Sequence, residues 1–448
     1  MRRIAPWSLC LALLVTASLS HAAAPTLTDS TTIERWRLAN GLEVRTRDIR
    51  GAQGVAVTLA VRAGRGHDPA GLDGLADVLA ELTWTGAVGP YPARTHEDLA
   101  SARPMGAEVN VNRSLARFTE IATPAQLPGV LAELSARLSG VTVTDASLRT
   151  AIAQVRREAG AHYFGPVADV LYWRGAALAR DVDDAGLLRL AQLPGLNRLN
   201  TRDAAARLRT WYAPGSASLA LAGDLKGVDV RALVEATFGK LAAAPGLPDT
   251  VTVALSGHRR TTSWKGLDAP VGVVVTEAPP LSDTLHAGFY LGMIITGASL
   301  SKNWGAPGPP LVSRFQYSLF DDPEIIRFYP PIAKDKTDPD LLAGALYEQL
   351  TAIGGQMVTV PIMERVRQSV AWLLGGPMSP DLRRGMARDP AALGTVASGM
   401  ATRAIWQGDA FWDTYLERFM RLQIGHSFFY EHLTDATHQS TLLLTPAP

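Results

Sequence analysis

The sequence predicts an α+β protein made of two homologous domains, each an antiparallel sheet with helices packed on one face. Three observations support this prediction: the length of 448 residues, the order of strand and helix patterns, and an internal repeat. One hydrophobic core rarely organises a chain of this length, so at least two domains are expected. We place the first domain at 31–241, a linker at 242–265 and the second domain at 266–448.

The internal repeat is an ungapped register in which residues of the first half match residues 215 positions later. Nine identities fall in this one register and span two predicted helices. They pair Pro124 with Pro339, Leu127 with Leu342, Gly129 with Gly344, Leu131 with Leu346, Glu133 with Glu348, Gly140 with Gly355, Val143 with Val358, Thr144 with Thr359 and Val155 with Val370. The register therefore predicts a duplicated domain.

The first domain begins with a hairpin signal and an apolar strand. Asn40-Gly41 is a strong two-residue turn signal between alternating runs. The run Gly54–Val61 is apolar and β-branched, which is typical of a buried strand. The remaining elements predicted for this domain are a short helix capped by Thr95 and ending at Met105, two strands within Gly106–Ile121, helices at Pro124–Leu138 and Ser147–Ala159, a helix capped by Thr201 and ending at Tyr212, and a strand at Ala217–Ala222.

The stretch Gly66–Ala87 begins as a loop and then reads as an amphipathic helix. Its apolar residues lie at i, i+3, i+4 and i+7 and form one stripe: Leu75, Val78, Leu79 and Leu82. Asp77 and Glu81 lie one turn apart, and two such carboxylates repel each other unless a cation lies opposite. Spacing alone favours a solvated acidic face.

Composition and charge exclude some classes of function. A hydrophobic content of 47% with 19% charged residues is typical of a globular chain, and the net charge of +1 gives no basic excess for nucleic acid. Residues 1–24 read as a cleaved signal peptide, with Arg2 and Arg3 before an apolar run and small residues at its end. The single cysteine, Cys10, lies within it, so we expect a periplasmic or secreted mature chain without disulfides or a transmembrane segment.

Short motifs in a fixed order resemble the insulinase–pitrilysin–mitochondrial processing peptidase family of zinc peptidases. The motifs are Leu38-Ala39-Asn40-Gly41-Leu42, Arg62-Ala63-Gly64, Asp68-Pro69, Gly74-Leu75-Ala76, Gly86, Gly106 before Asn110, Trp211-Tyr212-Ala213-Pro214 and Gly223-Asp224. The resemblance covers most of the chain from Thr31 to Pro446. It implies a clam-like chamber formed by two homologous α+β domains.

The family carries its metal on an inverted zinc motif, H-x-x-E-H, in the helix after Gly-Leu-Ala. Its two histidines ligate zinc, its glutamate is the general base, and a distal glutamate is the third ligand. In this chain Asp77 and Glu81 stand at the histidine positions and Ala80 stands at the base position. Only Glu158, at the position of the distal glutamate, matches a zinc ligand of the family. The resemblance therefore implies a degenerate member that lacks the family's catalytic residues and for which no zinc is expected.

Two interpretations of Asp77, Glu81 and Glu158 remain open at this point. Three carboxylates suit a hard cation such as Mg²⁺ or Ca²⁺ better than zinc. Alternatively, they form ion pairs with Arg156 or Arg157 across two helices, and we favour that pairing.

The resemblance also implies residues that hold a peptide. Glu108–Asn112 matches the family's edge strand, to which a substrate adds as an extra strand. Asn110 occupies the family's Asn position, and Val111 replaces the usual small alanine.

A second peptide-binding segment is implied in the other half. Gly297–Pro310, with Gly305 and Gly308, resembles the glycine-rich loop of the non-catalytic processing peptidase subunit. The family's substrate-holding Arg position falls on Phe320, and Tyr329 lies near its Tyr position.

Three functional hypotheses follow from these observations. The first is an exported, non-catalytic subunit that pairs with a catalytic homologue bearing an intact H-x-x-E-H and helps bind extended peptides. The second is an active metallohydrolase with an altered carboxylate metal site. The third is a structural scaffold subunit of an envelope complex.

Overall fold

The structure is a computed structural model that describes residues 33–249, 255–303, 315–330, 332, 338–354, 360–422, 433 and 439–447. The expected signal peptide at 1–24 lies outside these residues. The strands are β1 (Glu34–Arg37), β2 (Glu43–Asp48), β3 (Val55–Val61), β4 (Ala107–Val111), β5 (Ala116–Ala122), β6 (Ala217–Gly223), β7 (Arg259–Trp264), β8 (Val271–Glu277), β9 (Phe315–Gln316), β10 (Ile325–Phe328) and β11 (Gln439–Pro446).

Helices separate these strands in both halves. They are α1 (Leu75–Thr85), α2 (His96–Ala102), α3 (Leu127–Ser139), α4 (Asp145–Phe164), α5 (Val167–Ala179), α6 (Asp184–Gln192), α7 (Thr201–Trp211), α8 (Val230–Thr237), α9 (His286–Asn303), α10 (Pro339–Gly354), α11 (Val360–Val370), α12 (Pro380–Ala387), α13 (Pro390–Ile405) and α14 (Gly408–Arg421). Among the described residues, none of these helices is both long and apolar enough to cross a bilayer.

The two sheets have the same arrangement of equivalent strands. The first has the order β1-β2-β6-β3-β5-β4 and the second the order β7-β11-β8-β10-β9. In each sheet one pair is parallel, β2 with β6 and β7 with β11, and the other pairs are antiparallel; the first sheet has β1 as an additional strand outside β2. The α+β fold class predicted from the sequence is therefore confirmed.

Strand β7 lies inside the segment that the sequence analysis assigns to the linker. Its six residues pair in parallel with β11, and alternate side chains are exposed. The run Arg-Arg-Thr-Thr-Ser-Trp is mostly polar because this strand is at the edge of its sheet, so it carries little hydrophobic signal. The second sheet consequently begins before residue 266.

Each sheet has one face covered by helices of its own half and the other face covered by a helix from the opposite half. On the first sheet, odd-numbered residues of β3 pack with α1, α3 and α4, whereas Ala56 and Ala60 face α13. On the second sheet, Val273 and Val275 face α5. Small residues at these contacts, such as Gly175 on α5, let helix and sheet approach closely.

Two local predictions differ from the structure in detail. The first hairpin closes at Leu38 and Leu42, whose backbone N–H and C=O bond at 2.9 Å, so its loop has three residues with Gly41 at φ +96°. Helix α7 is capped by Asn200, whose side chain accepts the N–H of Asp203 at 2.9 Å. Thr201 is its first residue and not its cap.

Candidate functional site

Helix α1 carries the candidate site, and a partly buried loop carboxylate fixes its start. Asp68 accepts the backbone N–H groups of Gly74 and Ala76, each at 2.8 Å. Gly74 adopts φ +83°, which allows the chain to turn into the helix. The predicted apolar stripe is fully buried, and Glu81 is buried with it. The acidic face is therefore not solvated as spacing alone suggests.

Asp77 forms a two-pronged ion pair with Arg65, a residue of the loop before the helix. Nε of Arg65 donates to Oδ2 at 2.9 Å, and Nη2 donates to Oδ1 at 2.7 Å. Burial lowers the pKa of Arg65, but the charge and hydrogen bonds of Asp77 outweigh it and leave the pKa raised. The guanidinium is thus held as a permanent cation beside the first motif position.

Glu81, at the second motif position, pairs with His96. Nε2 of His96 lies 3.1 Å from Oε1 and 3.0 Å from Oε2 of this carboxylate. His96 is the first residue of α2, which Thr95 caps as predicted through a reciprocal pair of bonds with Asp98. The cap fixes the helix start that presents the imidazole to Glu81.

Glu158 lies on α4 and remains exposed. It accepts a hydrogen bond from Gln154 at 2.5 Å. Desolvation, followed by the negative charges of Glu81 and Asp77, raises the pKa of Glu158. Within the described part of the chain, no group of three acidic, histidine or cysteine side chains is placed to hold a metal ion.

The ion pairs that the sequence analysis favours for these carboxylates are wrong. Arg156 donates instead to the backbone carbonyl of Leu193 at 3.1 Å and to Asn197 at 2.8 Å. Arg157 donates to Gln154, its neighbour on the same helix. The true partners, Arg65 and His96, lie in a loop and on a separate helix, so helical spacing gives no sign of them.

The residues at the motif do not fit the family's zinc. Both oxygens of Asp77 accept bonds from a guanidinium, and both oxygens of Glu81 face an imidazole nitrogen. A cation would have to displace Arg65 from Asp77 and His96 from Glu81, and the carboxylates that it freed suit hard ions better than zinc. Ala80 is buried and offers no group that accepts a proton at the family's base position.

Aromatic residues line the outer side of the Arg65–Asp77 pair. The carbon Cζ of Arg65 lies 5.0 Å from the centre of the Trp173 ring, and His162 stacks on that indole at 4.2 Å. Burial, and then the positive charge of Arg65, lowers the pKa of His162 to about 4. The imidazole is therefore neutral at neutral pH and acts as an aromatic packing group. His67 is directed elsewhere, with Nε2 3.0 Å from the carbonyl of Pro248.

Strand β4 is the free edge of the first sheet. It pairs with β5, and no second strand pairs with it among the described residues. The bonds from Ile121 N–H to Gly106 and from Asn112 N–H to Leu115 show that even-numbered residues bond to β5. Backbone groups of Ala107, Val109 and Val111 consequently point away from the sheet, where another strand can pair with them.

The side chains of Asn110 and Val111, which the resemblance assigns to peptide binding, are engaged within the protein. Val111 packs against the hydrophobic core between the first sheet and its own helices, which include α1. The side chain of Asn110 accepts a bond from Arg117 at 2.7 Å, and Arg117 also pairs with Asp321 of the second half.

Tyr329 directly follows strand β10 in the second half. It is buried, and its hydroxyl donates to Gln316 at 2.6 Å. Phe320 is also buried, packed against Trp412. Gly305 and Gly308 lie outside the described residues.

Solved structures with the same fold extend over nearly the whole chain. A protease from Helicobacter pylori matches with a TM-score of 0.65 and 13% identity, covering 93% of this chain and 100% of the other. An inactive peptidase M16 domain from Pseudomonas fluorescens matches with a TM-score of 0.64 and 14% identity, covering 93% and 98%. No family model and no curated protein matches the sequence.

One of these similar structures is about twice as long as this chain. The periplasmic protease PqqL from Escherichia coli matches with a TM-score of 0.66 and 14% identity, covering 95% of this chain and 48% of PqqL. At such identities the comparison shows the fold alone. This chain has the fold of the M16 peptidases, and that part of the resemblance is confirmed.

Proposed function

We propose that this protein is an exported, non-catalytic relative of the M16 peptidases that binds extended peptides and pairs with a catalytic homologue. The observation that carries the proposal is the Arg65–Asp77 ion pair, which puts an arginine against a carboxylate at a family metal-ligand position. The fold and the free strand edge are kept, while the groups needed for hydrolysis are replaced.

The proposed lack of the family's hydrolytic mechanism is supported by the chemistry of three side chains. Hydrolysis by the family mechanism needs two imidazole ligands and a carboxylate base on one helix. Asp77 and Glu81 are already engaged by Arg65 and His96, and Ala80 has no acid–base chemistry. The alternative of a carboxylate metal site is disfavoured by the same two pairs.

Peptide binding is supported by the edge of β4. Outward backbone groups at alternate residues form the template for β-strand addition, in which main-chain hydrogen bonds supply affinity for many sequences. The strand is half-buried along its whole length and begins after Gly106, at φ +143°. We expect an extended peptide to pair with it along Ala107–Val111.

A homologous partner is supported by chain length. PqqL is a single protein of which this chain corresponds to about half, 48%. A second unit of the same fold, with an intact H-x-x-E-H, supplies what this chain lacks. Export is supported by the signal-like residues 1–24 and by the periplasmic description of PqqL.

The proposal is tested by purifying the tagged mature protein from its own cell-envelope extract and assaying peptidase activity with and without a chelator. We expect co-purification of an M16 homologue with an intact motif and chelator-sensitive cleavage by the complex. The isolated chain should not cleave. Recovery as a lone monomer beside a fully active homologue would contradict the proposal, and a stable complex containing no peptidase would favour the scaffold hypothesis.

A further inference from the structure

One nitrogen of the Arg65 guanidinium, Nη1, makes no hydrogen bond within the described part of the chain. Nη1 has no hydrogen-bond partner among the described residues, and it is not fully buried. The Arg65 side chain is 32% exposed, and Asp77 holds its other two nitrogens, Nε and Nη2.

Two neighbours fix the position of this donor. Asp77 holds one edge of the planar group at two points, and its own side chain is 17% exposed. Trp173 stacks at a distance of 5.0 Å, within the range of a cation–π contact. A guanidinium held in this way loses little side-chain entropy when it makes one more hydrogen bond.

The backbone of Arg65 ties this donor to the end of the free strand edge. Its N–H donates to the carbonyl of Asn112 at 2.9 Å, directly after Val111, the last residue of β4. The side chain then extends to Asp77 on α1, the helix that packs beside β4. A peptide that pairs with β4 therefore passes Arg65 at the Val111 end.

We propose that Nη1 of Arg65 donates a hydrogen bond to a main-chain carbonyl of the peptide bound on β4. The inference rests on the proposed peptide binding and adds a residue that positions the peptide. A carbonyl fits better than a carboxylate because Asp77 already balances the charge of the guanidinium and Asp68 lies near it, so a further anion would gain little. Arg65 then selects main-chain geometry and not a particular side chain.

The test uses a fluorescent decapeptide selected from a displayed random library for binding to the wild-type protein. Each backbone carbonyl of that peptide is converted, one at a time, to a thiocarbonyl, which is a poorer acceptor. Binding is measured to the wild type, to Val109→Pro, to the double variant Arg65→Met/Asp77→Leu and to Arg50→Met. The double variant removes the ion pair as a unit and leaves no buried carboxylate unpaired. Arg50 is an exposed arginine away from β4 and serves as the matched control.

We expect one interior thiocarbonyl to weaken binding to the wild type and to Arg50→Met by roughly 3- to 10-fold, the value of one hydrogen bond. The double variant should bind this thiocarbonyl peptide and the unmodified peptide with the same affinity. Circular dichroism checks that the double variant is folded. If every thiocarbonyl has equal effects on the wild type and the double variant, the Arg65 bond is refuted while peptide binding stands. If no peptide is selected, or Val109→Pro binds normally, the proposed function itself fails.

Discussion

Arg65 and Asp77 form a bidentate ion pair, with nitrogen–oxygen distances of 2.9 and 2.7 Å, at the helix position where the resemblance places a histidine ligand. The pair explains how an acidic residue is tolerated in a mostly buried helix. It also ties the loop before the helix to α1.

Replacing Arg65 alone should destabilise the fold more than replacing both members of the pair. Arg65→Met leaves a half-buried carboxylate without a partner, and we expect the free energy of unfolding to fall by about 1–2 kcal/mol. Arg65→Met/Asp77→Leu should lose less than the sum of the single changes. Urea denaturation of the wild type, Arg65→Met, Asp77→Leu and the double variant measures this, with Arg50→Met as an exposed control expected to change by less than about 0.5 kcal/mol. Additive losses would show that the two side chains are not coupled.

Restoring the zinc motif should not by itself restore zinc binding. In Asp77→His/Ala80→Glu/Glu81→His the guanidinium of Arg65 still lies beside the first ligand and repels the metal. Adding Arg65→Ser should raise the zinc content, measured by mass spectrometry after dialysis, to about one ion per chain. Equal zinc in the triple and quadruple variants would exclude Arg65 as the obstacle.

Proline at alternate positions of β4 should separate peptide binding from folding. The N–H of Val109 points away from β5, so Val109→Pro should abolish peptide binding with only a small change in stability. Asn110 bonds to β5, so Asn110→Pro removes a ladder bond and should cost about 1–3 kcal/mol. Fluorescence anisotropy and thermal melts distinguish the two effects. A large loss of stability in both variants would contradict the register described for this strand.

The cap of α1 should make stability depend on pH near neutrality. Burial, and then the negative charge of Asp77, raises the pKa of Asp68 to about 7, well above its ordinary value. The folded state therefore binds a proton that the unfolded chain releases near pH 4, and this contribution to stability is lost as pH rises toward and through about 7. The difference in unfolding free energy between wild type and Asp68→Asn should fall from pH 5 to pH 8. A difference that is constant with pH would contradict the raised pKa.

Glycines on two helices should respond oppositely to alanine. A Cβ at Gly129 on α3 meets no atom within 4 Å, so Gly129→Ala should stabilise by up to about 1 kcal/mol through helix propensity. A Cβ at Gly175 on α5 would lie 2.9 Å from Val273 and 3.0 Å from Val275. Gly175→Ala should therefore lower the midpoint of thermal unfolding. An increase at both positions would show that α5 does not pack tightly on the second sheet.

Local patterns were sufficient to predict the elements that build the first core. The strand over Val55–Val61 and the stripe of α1 follow from apolar periodicity, and both pack as expected. The polar edge strand β7 was missed because an exposed edge does not need apolar residues. The placing of α5 and α13 on the opposite sheets has no local signature, because contact between distant segments is decided by the packing of the whole chain.

The candidate site was predicted in position but not in its contacts. The order of motifs predicts that Asp77 and Glu81 lie on one helix, as they do in α1. Their partners are distant in sequence: Arg65 is 12 residues from Asp77, and His96 is 15 residues from Glu81. Those partners come from a loop and from the start of another helix, so periodicity on α1 or α4 cannot identify them. The free edge of β4 followed from the resemblance, whereas the outward direction of Val109 required the hydrogen-bond register.

The central claim is that the protein binds peptides but does not cleave them by the family mechanism. The most direct test is to follow a bound peptide by mass spectrometry. The selected decapeptide is incubated with the purified mature chain, with added zinc and with a chelator. The account predicts saturable binding of an intact peptide, equal in both conditions, with no cleavage products. Cleavage that requires zinc and is abolished by Asp77→Ala or Glu158→Ala would contradict it and establish an active metallohydrolase.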